Sequence, residues 1–474
     1  MLMIMTCIYI INILFGLGLL FFQHKDVNAT ICWLLVFAFI PVLGPLFYML
    51  FESGVMLGML SRQLRGNALK KELTADLVKN YQKDGPPKEC LPTVRQAQVP
   101  YTADNCVELL IDGKEKFARL FDDLKKATES ISVLYFIFDP NEEVGREMMD
   151  ILCQKAKEGV EVRLLYDRFG RMRVKKSDFK RLVDCGGQVQ VFLPSLLRSL
   201  LFVNFRLHRK LVVIDGTAAY TGGINVADEY LGKNPKRTPW RDTSVRVTGS
   251  AVAHLATQFA ADWLFVCQQQ KKDTATEEKA LKKQVCLPTE DAGQMGVQIL
   301  TCGPDTPTRN IRDTYLQLIA SAKEYLFIQT PYLIPGDTLM DMLRIADTSG
   351  VDVRILIPGI PDKKFVYYAT LANATPLLKS GVRVYTHQGF VHAKTLVVDD
   401  RVAAIGTANF DNRSFQINYE LATLVHDRNF AVACRETFLK DLENATELST
   451  TRAEETGFFA RMREGFWRLV GPLL

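Results

Sequence analysis

The 474-residue chain contains no Cys-x-x-Cys pair, no long basic tract and only six histidines. Its ten cysteines are isolated from one another, which excludes the usual zinc-site spacings and a disulfide framework. Most of them fall within apolar runs, the pattern of buried free thiols in a reducing compartment. No Asp-rich cluster that would hold a divalent metal appears in the sequence either. Charge of one sign is scarce as well: the net charge of +5 suits an anionic membrane surface or nucleic acid equally and decides nothing alone. The pairs Lys125-Lys126 and Lys175-Lys176 read as solvated surface.

Charge is scarcest in the first fifty residues. Met1 to Phe22 is apolar apart from Thr6 and Asn12, and Ile31 to Phe51 is a second uncharged run. Each approaches the roughly 20 helical residues that cross a bilayer core. The first run lacks a basic leading region and a small-residue cleavage site, which argues against a cleaved signal peptide. Pro41, Gly44 and Pro45 predict a kink in the second, and leave a re-entrant form open. Arg62, Arg65, Lys70 and Lys71 follow the second run, whereas only His24, Lys25 and Asp26 lie between the two. The positive-inside bias then puts everything after residue 52 on the cytoplasmic side.

A chain this long exceeds one ordinary core, and from Val107 onward it repeats itself. Each half opens with a strand ending in glycine, at 108–113 and 298–303. An amphipathic helix follows, with Phe117, Leu120, Phe121 and Leu124 on one face in the first half and Ile311, Tyr315, Leu318 and Ile319 in the second. Buried strands come next at 132–138 and 325–330, then at 159–165 and 350–356, then at 187–192 and 381–385. Strands alternating with helices predict two homologous α/β domains, packed face to face. The boundaries read as two transmembrane helices over 1–52 and a connector over 53–105. The first domain spans 106–267, a polar linker 268–285, the second domain 286–450 and an amphipathic C-terminal helix 451–474.

One motif is written twice. His208-Arg-Lys210-Leu-Val-Val-Ile-Asp215 leads to Gly222-Gly223-Ile-Asn225, and His392-Ala-Lys394-Thr-Leu-Val-Val-Asp399 leads to Gly406-Thr407-Ala-Asn409, at a constant offset of 184 residues. Residues two apart on extended backbone share a face, so each histidine emerges beside its lysine. The glycines allow close backbone approach, and Asn225 and Asn409 can reach back toward the same pocket. An imidazole flanked by an ammonium and an amide suits a phosphoryl group: a nucleophile with donors for the non-bridging oxygens. Two copies at one interface supply a nucleophile and a general acid, as a two-step phosphodiester exchange requires.

These residues resemble the phospholipase D superfamily, and over nearly the whole chain its bacterial cardiolipin synthase branch. The likeness includes the two N-terminal runs, Trp240-Arg-Asp-Thr243, Gln329-Thr-Pro-Tyr-Leu-Ile-Pro335, the run from Gly406 to Ser414, and Asn418-Tyr-Glu420. It implies two homologous phospholipase D-type α/β domains related by pseudo-twofold symmetry behind a transmembrane hairpin. It implies as the catalytic set His208, Lys210, Asp215, His392, Lys394 and Asp399, with Asn225 and Asn409 on the phosphate. His208 is taken as nucleophile and His392 as acid/base, the exchange of roles remaining open. Asp242 and Glu420 would bind the far nitrogens of the imidazoles, and Asp215 and Asp399 lean toward structure. The family reaction joins two phosphatidylglycerols into cardiolipin and glycerol at the inner membrane of a bacterial cell, with no cofactor and no metal. Phosphatidylglycerol, other anionic phospholipids and the membrane are the implied partners, and nucleic acid is not. A hydrolase using water as acceptor, or a transferase of another head group, would need the same residues. Thr407 in place of Gly or Ser, and the unequal lengths of Asp242 and Glu420, depart from symmetry between the halves. The C-terminal run from Gly457 reads as an interfacial helix or as one docked on the protein. His387 reads as structural, with a place in the acceptor pocket as the other reading.

Overall fold

The computed structural model describes residues 2–22, 27–51, 72–75, 99–192, 205–270, 272, 274–285, 292–304, 306, 308–452 and 456–470. They divide into one unit of residues 1–66 with 195–205 and another of residues 67–194 with 206–474. The expected connector, 53–105, lies largely outside the described residues.

In the first unit, helix α1 (Leu2–Phe22) precedes α2 (Val27–Phe39) and α3 (Gly44–Phe51). The second apolar run is therefore two short helices separated by a turn over 40–43, at the Pro41 and Gly44 punctuation. Among the described residues, no helix is long and apolar enough to cross a membrane. Asn12, a polar residue in α1, donates its side-chain amide to the Pro41 carbonyl at 2.7 Å. Trp33, Phe37 and Tyr48 form a small aromatic core between α2 and α3.

The second unit is built on one sheet of fifteen strands. The first half contributes β1 (Tyr101–Ile111), β2 (Ser130–Tyr135), β3 (Glu161–Asp167), β4 (Gln188–Phe192), β5 (Leu211–Ile214), β6 (Ala218–Gly222) and β7 (Thr243–Thr248). The second half contributes β8 (Met295–Cys302), β9 (Tyr325–Gln329), β10 (Asp352–Pro358), β11 (Arg383–His387), β12 (Thr395–Val398), β13 (Val402–Gly406), β14 (Glu420–His426) and β15 (Ala445–Glu447). From the centre outward the first half runs β1-β7-β6-β5-β2-β3-β4, and the second repeats that order as β8-β14-β13-β12-β9-β10-β11, with β15 added at the edge.

The halves meet through β1 and β8, paired antiparallel at Tyr101↔Gln298 and Thr102↔Val297. This corrects the expected face-to-face packing of two separate sheets. Each half opens with an edge strand whose backbone groups need partners, and pairing the two openings satisfies both. Helices cover the sheet. Phe117, Leu120, Phe121 and Leu124 lie in one core, and Ile311, Tyr315, Leu318 and Ile319 in the other, all buried. The stretch read as a linker, 268–285, carries the helix Thr274–Gln284, which Glu277 ties to Arg163 at 3.2 Å. The C-terminal helix Phe458–Val470 docks on the helix Lys364–Ser380 through Trp467 against Phe365 and Arg463 over Tyr368. Its other face leaves Phe458, Phe459, Met462 and Phe466 between 58 and 84% exposed.

Asp215 and Asp399 belong to this scaffold. Each opens a three-residue hairpin loop, whose tight turn has Asp215-Gly216 at φ 52° and 66° in one and Asp399-Asp400 at 50° and 49° in the other. Left-handed backbone at both central positions matches the twist of the strands they join, and aspartate tolerates it better than most residues. Each carboxylate also accepts backbone N–H groups from the entrance of a neighbouring strand. Asp215 takes those of Thr128, Glu129 and Ser130 at 2.8 Å, and Asp399 those of Lys323, Glu324 and Tyr325 at 2.8–2.9 Å. The oxygens of both aspartates are committed to a turn at the far end of the strand from the histidines, in keeping with the structural role toward which the sequence leaned. Asp215→Ala would strand three donors, a loss of about 1–3 kcal/mol. Thermal melting should fall by a few degrees while kcat per folded enzyme stays within about twofold; a kcat collapse at unchanged melting temperature would contradict this placement.

Candidate active site

His208 and Lys210 stand immediately before β5, and His392 and Lys394 before β12, so a rigid buried strand anchors each pair. Backbone bonds then cross between the halves. The His208 N–H donates to Tyr419 O at 3.0 Å, and the His392 N–H donates to Arg241 O at 2.7 Å. The side chains repeat the exchange. His208 Nδ1 lies 2.9 Å from both carboxylate oxygens of Glu420 in the second half, and His392 Nδ1 lies 2.7 Å from Asp242 Oδ2 in the first. Each half therefore orients the other half's imidazole, leaving both Nε2 atoms free to face a substrate.

Both carboxylates are fully buried. Asp242 also accepts from the Thr243 N–H, at 2.8 Å. Glu420 accepts from Thr407 Oγ1 at 2.6 Å and Asn418 Nδ2 at 3.2 Å. The two departures from symmetry compensate here. A Cβ on Gly223 would sit 2.0 Å from Asp242 Oδ1, so glycine makes room for the carboxylate. At the matching position the Thr407 hydroxyl instead bonds the carboxylate of the longer glutamate.

Lys210 Nζ donates to His208 O at 2.6 Å, and Lys394 Nζ donates to His392 O. Both ammonium groups are buried, and burial lowers both: Lys394 to about 8, and Lys210 well below its ordinary value. Burial also brings His208 down to about 4 and His392 well below 6.5, with the lysine charges of both halves pushing the same way. His392 feels the His208 charge too, so one small volume holds both imidazoles and both ammoniums. Burial pushes Asp242 up to about 6, whereas His208 and Lys210 hold Glu420 below the usual carboxylate range. The resting site is a pair of neutral imidazoles beneath a strained concentration of positive charge, which an anionic phosphodiester would relieve.

Asn225 and Asn409 are both buried. Asn225 Oδ1 accepts the Ile137 N–H at 3.1 Å and its amide donates to the Tyr230 hydroxyl at 2.5 Å, so part of its capacity serves the wall. Asn409 Oδ1 is buried with no bond made to it. Aromatic residues complete the walls, of which the sequence had marked Trp240, in the run Trp240-Arg-Asp-Thr243, through the resemblance alone. Phe136 stands edge-on to His208 at 5.0 Å, and Tyr230, Trp240 and Phe390 surround His392 at 5.4–6.0 Å. Lys116, fully buried and brought to about 7, bonds Tyr135 Oη at 2.8 Å behind Asp242. Its helical spacing beside Phe117 read as an ordinary amphipathic face, so no sequence signal marked it. His387 accepts the Gly389 N–H at 3.0 Å and holds a turn after β11.

The lysine environment has a consequence for pH. Lys394 loses its charge as pH rises through about 8, earlier than an ordinary lysine. kcat/KM for an anionic phosphodiester should therefore decline above pH 8, and Lys394→Arg should shift that decline upward, even if its maximum is lower. An unchanged alkaline limb in the arginine variant would exclude Lys394 as its source.

Comparison with known proteins follows this geometry. The family model described as cardiolipin synthase, PLD-like domain matches residues 120–263 and 315–442, and the model described as phospholipase D-nuclease N-terminal matches residues 2–52. The chain is 40% identical to the major cardiolipin synthase of Bacillus subtilis, over 99% of both chains. It is 36% identical to the cardiolipin synthase of Oceanobacillus iheyensis, over 98% of both, and to that of Staphylococcus aureus, over 98% of this chain and 95% of the other. The crystal structure of the phosphatidylserine synthase of Haemophilus influenzae shares the fold, with a TM-score of 0.61 at 17% identity over 85% of this chain and all of that one. A doubled α/β half, a doubled motif and near full-length identity agree: this chain belongs to the phospholipase D-like cardiolipin synthase family.

Proposed function

We propose that this enzyme is a cardiolipin synthase that moves a phosphatidyl group from one phosphatidylglycerol to another through a covalent phosphohistidine. The reading is carried by the two imidazoles, each oriented by the opposite half's carboxylate beside a buried lysine pair. In the first step Nε2 of His208 attacks phosphorus, the bond to the glycerol oxygen breaks, and His392, which takes up a proton from solvent once the bound anion offsets the lysine charges, gives that proton to the leaving glycerol. In the second, His392 takes the proton from a hydroxyl of another phosphatidylglycerol, whose oxygen displaces the histidine to form cardiolipin. Lys210, Lys394, Asn225 and Asn409 hold the non-bridging oxygens, and Asp242 and Glu420 keep Nδ1 protonated and stabilise the imidazolium. One phosphodiester replaces another, so no nucleotide is consumed and the exchange is near thermoneutral.

We further propose that residues 1–52 anchor the enzyme in the inner membrane of a bacterial cell, with the catalytic halves on the cytoplasmic side. Support comes from the nearly charge-free first fifty residues, the basic residues that follow them and the match to the family's N-terminal model. The outward face of the helix Phe458–Val470, with Phe458, Phe459, Met462 and Phe466 exposed, suits contact with a lipid surface.

Purified full-length enzyme in detergent with phosphatidylglycerol should yield cardiolipin and glycerol by mass spectrometry. Phosphatidate as sole product would favour the hydrolase reading instead. His208→Ala and His392→Ala should each lower turnover by about 10³-fold or more with the melting temperature preserved, and near-full rate in either would sink the division of labour.

A further inference from the structure

The C-terminal helix Phe458–Val470 carries more than an apolar face. Successive residues turn about 100° around a helix, which sorts this one into three strips. Trp467 and Arg463 lie on the docked strip, against Phe365 and Tyr368. Phe458, Phe459, Met462 and Phe466 lie on the outward strip. Arg461, Gly465 and Arg468, spaced four and then three residues apart, share the strip that separates those two along one flank.

This third strip lines a cavity of about 230 Å³ against the helix Lys364–Ser380. Its closed side is an ion pair. Arg452 donates to Glu464 Oε1 at 2.7 Å and to Oε2 at 3.2 Å, and it also donates to Thr375 Oγ1 at 3.1 Å. Glu464 is buried, and the bidentate bond offsets its charge. The open side is cationic. Arg461 and Arg468 line the same cavity, are exposed, and make no ion pair or side-chain hydrogen bond among the described residues. With Arg452 cancelling Glu464, their two positive charges are left uncompensated. Gly465 stands between them, and a Cβ there would meet nothing within 4 Å. Neither packing nor a left-handed turn calls for glycine at this position, and inside an exposed helix glycine is weakening. What it leaves is room between two guanidiniums.

We propose that this cavity binds the phosphodiester of an anionic phospholipid whose acyl chains lie along the neighbouring strip of Phe458, Met462 and Phe466. The inference rests on reading the helix as a lipid-contacting element, and deepens that reading by naming the head group. None of the lining residues belongs to the catalytic set, so this is a second lipid site. Guanidiniums bordering an apolar strip bond the non-bridging oxygens of a phosphate at the depth where the acyl chains begin. A zwitterionic head group gains less, because its ammonium would meet two arginines and a carboxylate that is already paired. The helix is thus held best where the enzyme's own anionic substrate is concentrated.

The test is amide hydrogen exchange over residues 456–468 of the full-length enzyme in lipid nanodiscs. Replacing part of the phosphatidylcholine by phosphatidylglycerol should slow exchange there about fivefold or more. Gly465→Glu, which sets a carboxylate between the arginines, should reduce that slowing to within about twofold, and so should Arg461→Gln combined with Arg468→Gln. Arg461→Lys combined with Arg468→Lys should keep most of it. Any cardiolipin formed in the discs carries the same phosphodiester and serves the same site. Slowing that persists in the folded glutamate and glutamine variants would overturn the cavity. So would equal protection of the wild type in pure phosphatidylcholine discs, which would assign the contact to the apolar strip alone. Inorganic phosphate added to pure phosphatidylcholine discs should leave exchange unchanged; the same slowing there would make the site one for free phosphate and overturn the lipid assignment. Met462→Asp combined with Phe466→Asp should abolish protection in both discs. If that variant exchanges like wild type, the lipid-contact reading of the helix fails, whatever the arginines do.

Discussion

The bond on which the molecule depends is the one each histidine makes with a carboxylate from the opposite half. A strand can hold an imidazole rigidly, but it cannot by itself choose the tautomer or keep the ring facing a substrate. Glu420 does this for His208 and Asp242 does it for His392, across the seam made by β1 and β8. Neither half has an oriented histidine without the other. The fifteen-stranded sheet is thus more than a platform, since its continuity sets the spacing at which the exchange can occur.

Burial supplies the driving force for chemistry at that seam. Two ammoniums, two imidazoles and two carboxylates share a volume from which water is largely excluded, and desolvation heads the causes for every one of them. The lysines are destabilised as cations and the imidazoles as imidazoliums until an anion arrives. A phosphodiester would therefore complete the site's charge balance as well as occupy it, and protonation of the acid/base imidazole becomes easier once it is bound. Aromatic walls of Phe136, Tyr230, Trp240 and Phe390 keep that environment dry.

Departures from symmetry fall into two kinds. Gly223 with Asp242, and Thr407 with Glu420, are different solutions to one requirement, a buried acceptor at Nδ1. At the rim, Arg206 and Phe390 are unlike residues at matching positions of the repeat, as are Glu229 and Arg413. A gene duplication places two equivalent imidazoles, whereas joining two molecules in order needs two unequal sides.

The sequence by itself determined the repeat, its two α/β halves and the identity of the histidine–lysine pairs, because period-two alternation and a constant 184-residue offset are local or nearly local signals. It marked Asp242 and Glu420 only through family resemblance, and the turn role of Asp215 and Asp399 only as a leaning, since which backbone donors surround a carboxylate depends on strands more than seventy residues away. Face-to-face packing was misread because edge pairing between β1 and β8 leaves no mark on hydrophobic patterning. Only the tertiary structure decided which half orients which imidazole, and that Lys116 and Tyr230 stand by the site. Those are contacts between side chains far apart in the chain, and one sequence carries no record of distance.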